Sequence, residues 1–421
     1  MSTATHDETH EANEPKTVSA ATAAEETEAI LAEAGEQMAS DVHLQWLANG
    51  VMVRFRVTGL LEDHRLLDVE TGKKVISHLK VLGNLNIADR RRPQDGRVIF
   101  DLGGRQLDLR LATVPTLYGE NLTMRVFDRG AAFRNLDELG MEPSDLDRVK
   151  HLLHSPHGLI LVTGPTGAGK TTSLYAFLES LNHPSKNILT VEDPIEYDID
   201  RVNQIAVNRK LDLGFAECLR SSFRHDPDII MIGEIRDAES ARIAVRASLS
   251  GHLVFSTIHT GHALGAFDTL VQLGVSPYLA SSALLGVVTQ QLVRRICPHC
   301  RERFEFPVES LNPREREEFR QAMESEGGNP SFAVGIGCDE CRHSGFAGRT
   351  GLFEVLEATP HVRQAMASGA PRQELEKRAR QAGWRSLQLA GFCKIVQGET
   401  TIEEVLRVVP VDDEEMRHAT V

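Results

Sequence analysis

The segment Gly164-Pro-Thr-Gly-Ala-Gly-Lys-Thr171 restricts this chain more than any other feature. It matches G-x-x-x-x-G-K-[ST], a pattern whose glycines let successive backbone N–H groups turn inward around phosphate oxygens. The pattern carries that meaning only between a buried strand and a helix. Gly158–Thr163 (GLILVT) reads as a buried strand, and Thr171–Leu181 reads as a helix. That helix adds its positive N-terminal end to the cradle. Gly164, Pro165, Thr166, Gly167, Ala168, Gly169, Lys170, Thr171 and Thr172 are the expected ATP contacts. In such a loop the lysine, Lys170, reaches the β- and γ-phosphates, and Thr171 holds Mg²⁺.

Strands alternating with helices follow. Ile188–Val191, Ile229–Ile232 and Leu253–Ser256 are short apolar runs, and Ala238–Leu249 is an Ala-rich helix. This alternation implies an α/β domain with a largely parallel sheet, in which ligands bind at the carboxyl ends of strands. Carboxylates stand at two such ends. Thr190–Glu196 carries Glu192, Asp193 and Glu196, while Asp228–Glu234 ends in Glu234. Glu234 is the expected group that orients or deprotonates the attacking water. Gly233 occupies the place of the usual magnesium-side aspartate, which leaves Asp193 or Glu192 to substitute through a water. His252 and His259 flank the strand Leu253–Ser256.

The chain has 421 residues, more than one ordinary domain holds. Residues 1–38 are rich in Ala, Thr and Glu and read as a disordered acidic lead-in, with a possible short helix near Glu25–Glu36. Residues 39–130 read as a small α+β domain. His43–Leu47 and Val51–Val57 alternate as strands around an Asn49-Gly50 turn, and Leu67–Leu85 has helical periodicity. Val98–Leu102, Gln106–Ala112 and Leu122–Phe127 resume the alternation. A linker at 131–151, a nucleotide-binding core at 152–296, an insert at 297–345 and a helical C-terminal region at 346–421 complete the expected organisation. The formal charge of −14 disfavours a general nucleic-acid or anionic-membrane surface, both of which need Lys/Arg clusters. The N-terminal residues lack a basic and an apolar signal region, which points to a soluble cytoplasmic chain.

Four of the six cysteines form two C-x-x-C pairs, Cys297/Cys300 and Cys338/Cys341. Four thiolates at two such corners suit a tetrahedral structural Zn²⁺, closing a segment that contains a charged loop, Asn312–Glu326. Cys218 and Cys393 read as buried apolar fillers.

These pieces in this order resemble the type II secretion / type IV pilus assembly ATPase family, from about Ala39 to Val409. TVEDPIEY at Thr190–Tyr197 is similar to its acidic box. LRSSFRHDPDIIMIGEIRD at Leu219–Asp237 is similar to its Walker B region, and GHLVFSTIHT at Gly251–Thr260 to its histidine box. ASDVHLQ (Ala39–Gln45), RRRPQDGR (Arg90–Arg97) and DLRLATVPTLYGENLTMR (Asp108–Arg125) resemble the family's PAS-like N-terminal domain. The resemblance implies a RecA-like motor domain preceded by that domain and carrying a tetracysteine zinc insert. It implies nucleotide contacts from His259, His252, Glu192, Asp193 and Glu196, and arginine fingers at Arg110 and Arg125. It implies a homohexamer at the cytoplasmic side of the inner membrane, acting on pilin-like subunits through membrane platform proteins.

The chain departs from the family at several points. Members dedicated to type II secretion usually carry a further N-terminal docking domain, whereas 38 residues precede Ala39 here. Gly261-His262 stands where an Asn-Asp pair is usual. Gln291 replaces an arginine in Gln290-Gln291-Leu292, and Leu389-Ala390-Gly391 lacks an aspartate. A pilus-retraction motor is the nearest alternative, and such motors usually lack the cysteines. A nucleic-acid-transfer ATPase fits the charge poorly, and a non-hydrolysing scaffold fits Lys170, Thr171 and Glu234 poorly.

Overall fold

The computed structural model describes residues 22–128, 135–208, 211, 213–303, 308–325 and 330–409. The chain divides into two compact units, residues 1–132 and 133–421.

The first unit is a six-stranded antiparallel sheet with two helices. Its elements are α1 (Ala23–Glu36), β1 (Asp41–Leu47), β2 (Gly50–Val57), β3 (Leu60–Leu67), α2 (Val69–Leu82), β4 (Gln94–Leu102), β5 (Arg105–Pro115) and β6 (Glu120–Asp128). The strand order is β3-β2-β1-β6-β5-β4. Val42, Leu44, Val53, Phe55, Leu107, Leu109 and Met124 point from the sheet into a core that Ile30, Leu31, Val75 and Leu79 of the helices complete. α1 corrects the reading of the lead-in. Thr22 and Glu25 form a reciprocal capping box that satisfies two otherwise orphan N–H groups, and Ile30, Leu31 and Ala34 are fully buried. The helix is thus a part of this unit's core, while residues 1–21 lie outside the described residues.

The second unit holds α3 (Pro143–Leu153), β7 (Gly158–Thr163), α4 (Lys170–Leu181), β8 (Ile188–Glu192), β9 (Val202–Ala206), α5 (Phe215–Ser222), β10 (Ile229–Ile232), α6 (Ala238–Leu249) and β11 (Leu253–Ile258). There follow α7 (Ala263–Gln272), α8 (Pro277–Ala283), β12 (Leu284–Ile296), β13 (Arg301–Arg303), α9 (Pro313–Ser325), β14 (Ala333–Gly335) and β15 (Phe346–Glu357). α10 (Pro360–Ala367), α11 (Arg372–Gln381), α12 (Leu387–Val396) and α13 (Ile402–Val408) end it. The main sheet runs β15-β12-β7-β11-β10-β8-β9. All neighbours are parallel except β15, which is antiparallel to β12. Every residue of β7, β8, β10 and β11 is buried, as a parallel sheet covered on both faces requires.

Three expected boundaries move. The linker expected at 131–151 contains α3, and Leu136, Leu139, Val149 and Leu152 are buried in the same core as β7. The region expected to be helical from 346 begins with β15, which pairs with β12 from Gly286 to Ile296. The charged loop at Asn312–Glu326 is the amphipathic helix α9, whose Phe319 and Ala322 share a core with Phe392 and Val396 of α12. Glu326 itself lies outside the described residues.

Candidate functional site: the phosphate loop and its carboxylate

β7 sits between β12 and β11 in the main sheet, so its carboxyl end opens directly into the loop Gly164–Gly169. Gly164, Gly167 and Gly169 have φ of 139°, 80° and 86°, conformations that side chains resist. Gly169 caps α4 without any side-chain hydrogen bond, which leaves the first-turn N–H groups to an anion. Pro165, Thr166, Gly167 and Thr171 are exposed, and Ala168 is buried beneath them. Lys170 Nζ donates to the carbonyls of Gly164 at 2.8 Å and Pro165 at 2.9 Å, which holds the ammonium over the loop. Burial pulls the Lys170 ammonium below its ordinary pKa, and the nearby Glu234 carboxylate opposes that shift.

Glu234 stands just beyond β10, held by its neighbours' backbone. Gly233 N–H donates to Val191 at 2.8 Å, Ile235 N–H to Thr257 at 2.9 Å, and Thr257 Oγ1 to the Gly233 carbonyl at 2.8 Å. A Cβ at Gly233 would lie 3.3 Å from the Val191 carbonyl, a close approach of this segment to β8. Glu234 pairs with Arg236, and its Oε2 lies 3.8 Å from His259 Nε2. Hydrogen bonding to Glu234 raises the Arg236 pKa, and the Asp193 charge adds to it. Lys170, Glu234, Arg236, His259 and Asp193 therefore form one electrostatic group at the carboxyl ends of β7, β8, β10 and β11. Arg236 was not expected from the sequence. Its position two residues beyond Glu234 was the available signal.

Two expected nucleotide contacts turn elsewhere. Glu192 is buried, and its carboxylate accepts hydrogen bonds from Tyr175, from Thr190 Oγ1 at 2.6 Å and from Gln204 Nε2 at 3.1 Å. Burial raises its pKa against those hydrogen bonds. Glu192 thus braces the acidic segment from inside, leaving exposed Asp193 and half-buried Glu196 on the outer side. His252 precedes β11, at the opposite end of the strand from His259. Six strand residues separate the two, seven rises or about 23 Å along the strand. His252 Nδ1 lies 3.0 Å from the Ala247 carbonyl, and its ring packs against Phe223. It finishes α6 and does not face the phosphate loop.

Arg110 and Arg125 belong to the first unit. They are direct cross-strand partners on β5 and β6, and Arg125 also pairs with Asp41 of β1. Arg125 Nε donates to Asp41 Oδ1 at 3.1 Å, and the Arg110 guanidinium lies 4.7 Å from the Phe127 ring centre.

The four thiols of Cys297, Cys300, Cys338 and Cys341 converge, with all Sγ atoms within 4.8 Å of one another. Separations of 3.9 Å (Cys297–Cys338), 3.7 Å (Cys300–Cys341) and 3.7 Å (Cys338–Cys341) match the edge of a tetrahedron with Zn–S bonds of about 2.3 Å, about 3.8 Å. Backbone N–H groups of Gly337 and Gly345 point at Cys300 and Cys341 Sγ from 3.3 Å, as around metal thiolates. Cys218 and Cys393 are buried among apolar side chains.

Residues 17–407 match the family described as Type II/IV secretion system protein. Type II secretion system protein E of Pseudomonas aeruginosa is 44% identical over 385 residues, covering 90% of this chain and 74% of that protein. Type II secretion system ATPase E of Vibrio cholerae is 44% identical over 381 residues, covering 90% and 74%. This chain belongs to the type II/IV secretion ATPase family. Type IV pilus assembly ATPase TfpB of Acinetobacter baylyi is 42% identical, covering 91% of this chain and 64% of that protein. In fold the chain is similar to the pilus retraction motor PilT with bound ADP (TM-score 0.61, 24% identity, covering 93% of this chain and 98% of PilT). It is also similar to the Legionella pneumophila ATPase DotB (TM-score 0.68, 20% identity, covering 94% and 97%). The RecA-like reading of the second unit and the tetracysteine cluster agree with this membership.

The opposite placements of the two histidines make a test. His252→Ala is expected to leave steady-state ATP turnover within about twofold of the parent. His259→Ala is expected to lower it by about tenfold, the size of one lost hydrogen bond to a charged group. A larger loss in His252→Ala than in His259→Ala contradicts this assignment.

Proposed function

We propose that this chain hydrolyses ATP to drive assembly of pilin-like subunits, in a type II secretion system or a type IV pilus. The carrying observation is the placement of Glu234, 3.8 Å from His259 and within electrostatic reach of Lys170, at the same end of the sheet as the phosphate loop, in a chain 44% identical to secretion ATPases over 90% of its length. In this reading the N–H groups of Gly167–Thr171 and the Lys170 ammonium bind the β- and γ-phosphates. Glu234 orients the attacking water and accepts its proton, and His259 senses the γ-phosphate from the end of β11. Mg²⁺, when bound through the exposed Thr171 hydroxyl, neutralises phosphate charge. Asp193 is the carboxylate available to its water shell. Arg110 and Arg125 supply charge to the transferring phosphoryl group, a role that suits a guanidinium because it never loses its proton.

The chain functions as a homohexamer on the cytoplasmic face of the inner membrane, reaching the membrane through platform proteins. Among the described residues no helix is long and apolar enough to cross a bilayer. The cysteine cluster holds a structural Zn²⁺, which favours an assembly motor over a retraction motor. The site is built from both flanks of the insert, since Cys297 directly follows β12 and Cys341 precedes β15. Zinc there locks the antiparallel β12–β15 pair at its far end.

Lys170→Ala is expected to reduce ATP turnover by about 10²–10³, the cost of removing one donor to a developing negative charge. Parent-like turnover in a folded Lys170→Ala protein contradicts the loop assignment. Metal analysis of the purified parent should find about one zinc per chain. Cys297→Ser should release it and lower the melting temperature. A zinc-free parent with the same melting temperature as Cys297→Ser removes the metal from the account.

A further inference from the structure

We infer that Gln290 is a positioning residue for the phosphate loop, holding Ala168–Gly169 in the shape that binds nucleotide phosphates. Gln290 lies on β12, one residue past the Thr289–Thr163 pair that ends the β12–β7 ladder. That pair is clasped by a buried hydroxyl–hydroxyl hydrogen bond of 2.8 Å. The next residue on β7's side is Gly164, the first of the loop. Gln290 is 2% exposed, and its Nε2 donates to the Ala168 carbonyl at 2.6 Å. A carbonyl only accepts, so the amide orientation follows from the contact. The same residue touches the loop at two further points. A Cβ on Gly164 would lie 2.4 Å from the Gln290 backbone oxygen, and one on Gly169 would lie 3.1 Å from Gln290 Nε2.

Packing alone does not account for an amide here. Gln290 Oε1 is buried and has no hydrogen-bond partner among the described residues. An unsatisfied buried oxygen carries a desolvation penalty, which an apolar side chain of the same length avoids. The amide is retained for its one bond, and that bond ends on the residue before Gly169. Lys170 and the N–H groups of the first turn of α4 follow directly. Gln290 does not reach the phosphates itself; it fixes the backbone that does. Its effect therefore falls on nucleotide affinity more than on the chemical step.

This inference rests on the ATP-site reading above. The test is a full-length Gln290→Met protein, which keeps side-chain length and removes the donor. Gln291→Met, on the alternate face of the strand, is the control. Gln290→Met is expected to raise the Kd for Mg-ADP and the KM for ATP about tenfold, equivalent to about 1.4 kcal/mol. kcat should fall less than threefold, and Gln291→Met should match the parent. Gln290→Asn, with a shorter arm, should show the same split in milder form. Unchanged Kd and KM in a folded Gln290→Met protein overturn the inference. So does loss of folding in both Gln290 variants, because that makes the residue a core element. If Lys170→Ala also leaves turnover intact, the loop assignment fails first; if only the Gln290 variants are silent, only the strut fails.

Discussion

Gly164 has no room for a side chain, and the arrangement of the active unit depends on that. The carbonyl of Gln290 lies where its Cβ would stand. β7 can therefore leave the sheet only by turning through a left-handed glycine, hard against β12. The turn delivers the chain to Ala168, Gly169 and the open first turn of α4. With β7 flanked by β12 and β11, the same sheet edge receives Glu234 and His259. Loop, Glu234 and His259 are thus registered by strand pairing, and no flexible segment has to bring them together.

The sheet also joins the phosphate loop to distant parts of the chain. β12 touches the loop at Gln290 and ends at Ile296, immediately before the first cysteine. β15 returns from the last cysteine and pairs along β12. Its Glu354 is buried, and burial pushes its carboxyl up to about 7. Glu354 accepts hydrogen bonds from the Ala263 N–H at 3.1 Å and from Trp384 Nε1 at 3.1 Å. The helix that follows the histidine segment and the C-terminal helices thereby meet on one strand. Rigid, hydrogen-bonded elements of this kind can carry displacement between a nucleotide site and a remote surface.

Much of this was legible where the signal is local. GLILVT followed by glycines and Lys170 announced a strand, a loop and a helix, because each depends on neighbouring residues only. The two C-x-x-C corners announced a thiol cluster for the same reason. The failures have a common cause. Glu192 ends a five-residue strand buried on both faces, and such a strand has no alternation to say which way its last side chain turns. His252 and His259 look equivalent in the sequence, yet they stand at opposite ends of β11, and strand direction relative to the loop is a property of the sheet. α1 reads as acidic and polar because its apolar stripe is narrow, and its burial depends on a sheet formed later in the chain. β3 (LLEDHRLL) is a partly exposed edge strand that carries a bulge at His64, so its alternation is broken.

In the proposed function Glu234 works on a nucleotide already held by the loop. Glu234→Gln separates holding from working, since the amide keeps the size and loses the base. Measured side by side, Mg-ATP affinity by calorimetry and single-turnover hydrolysis should diverge. Affinity is expected to stay within about threefold of the parent and hydrolysis to slow by about 10²–10⁴, the range for a general base. Hydrolysis at the parent rate in Glu234→Gln, with binding intact, would contradict it.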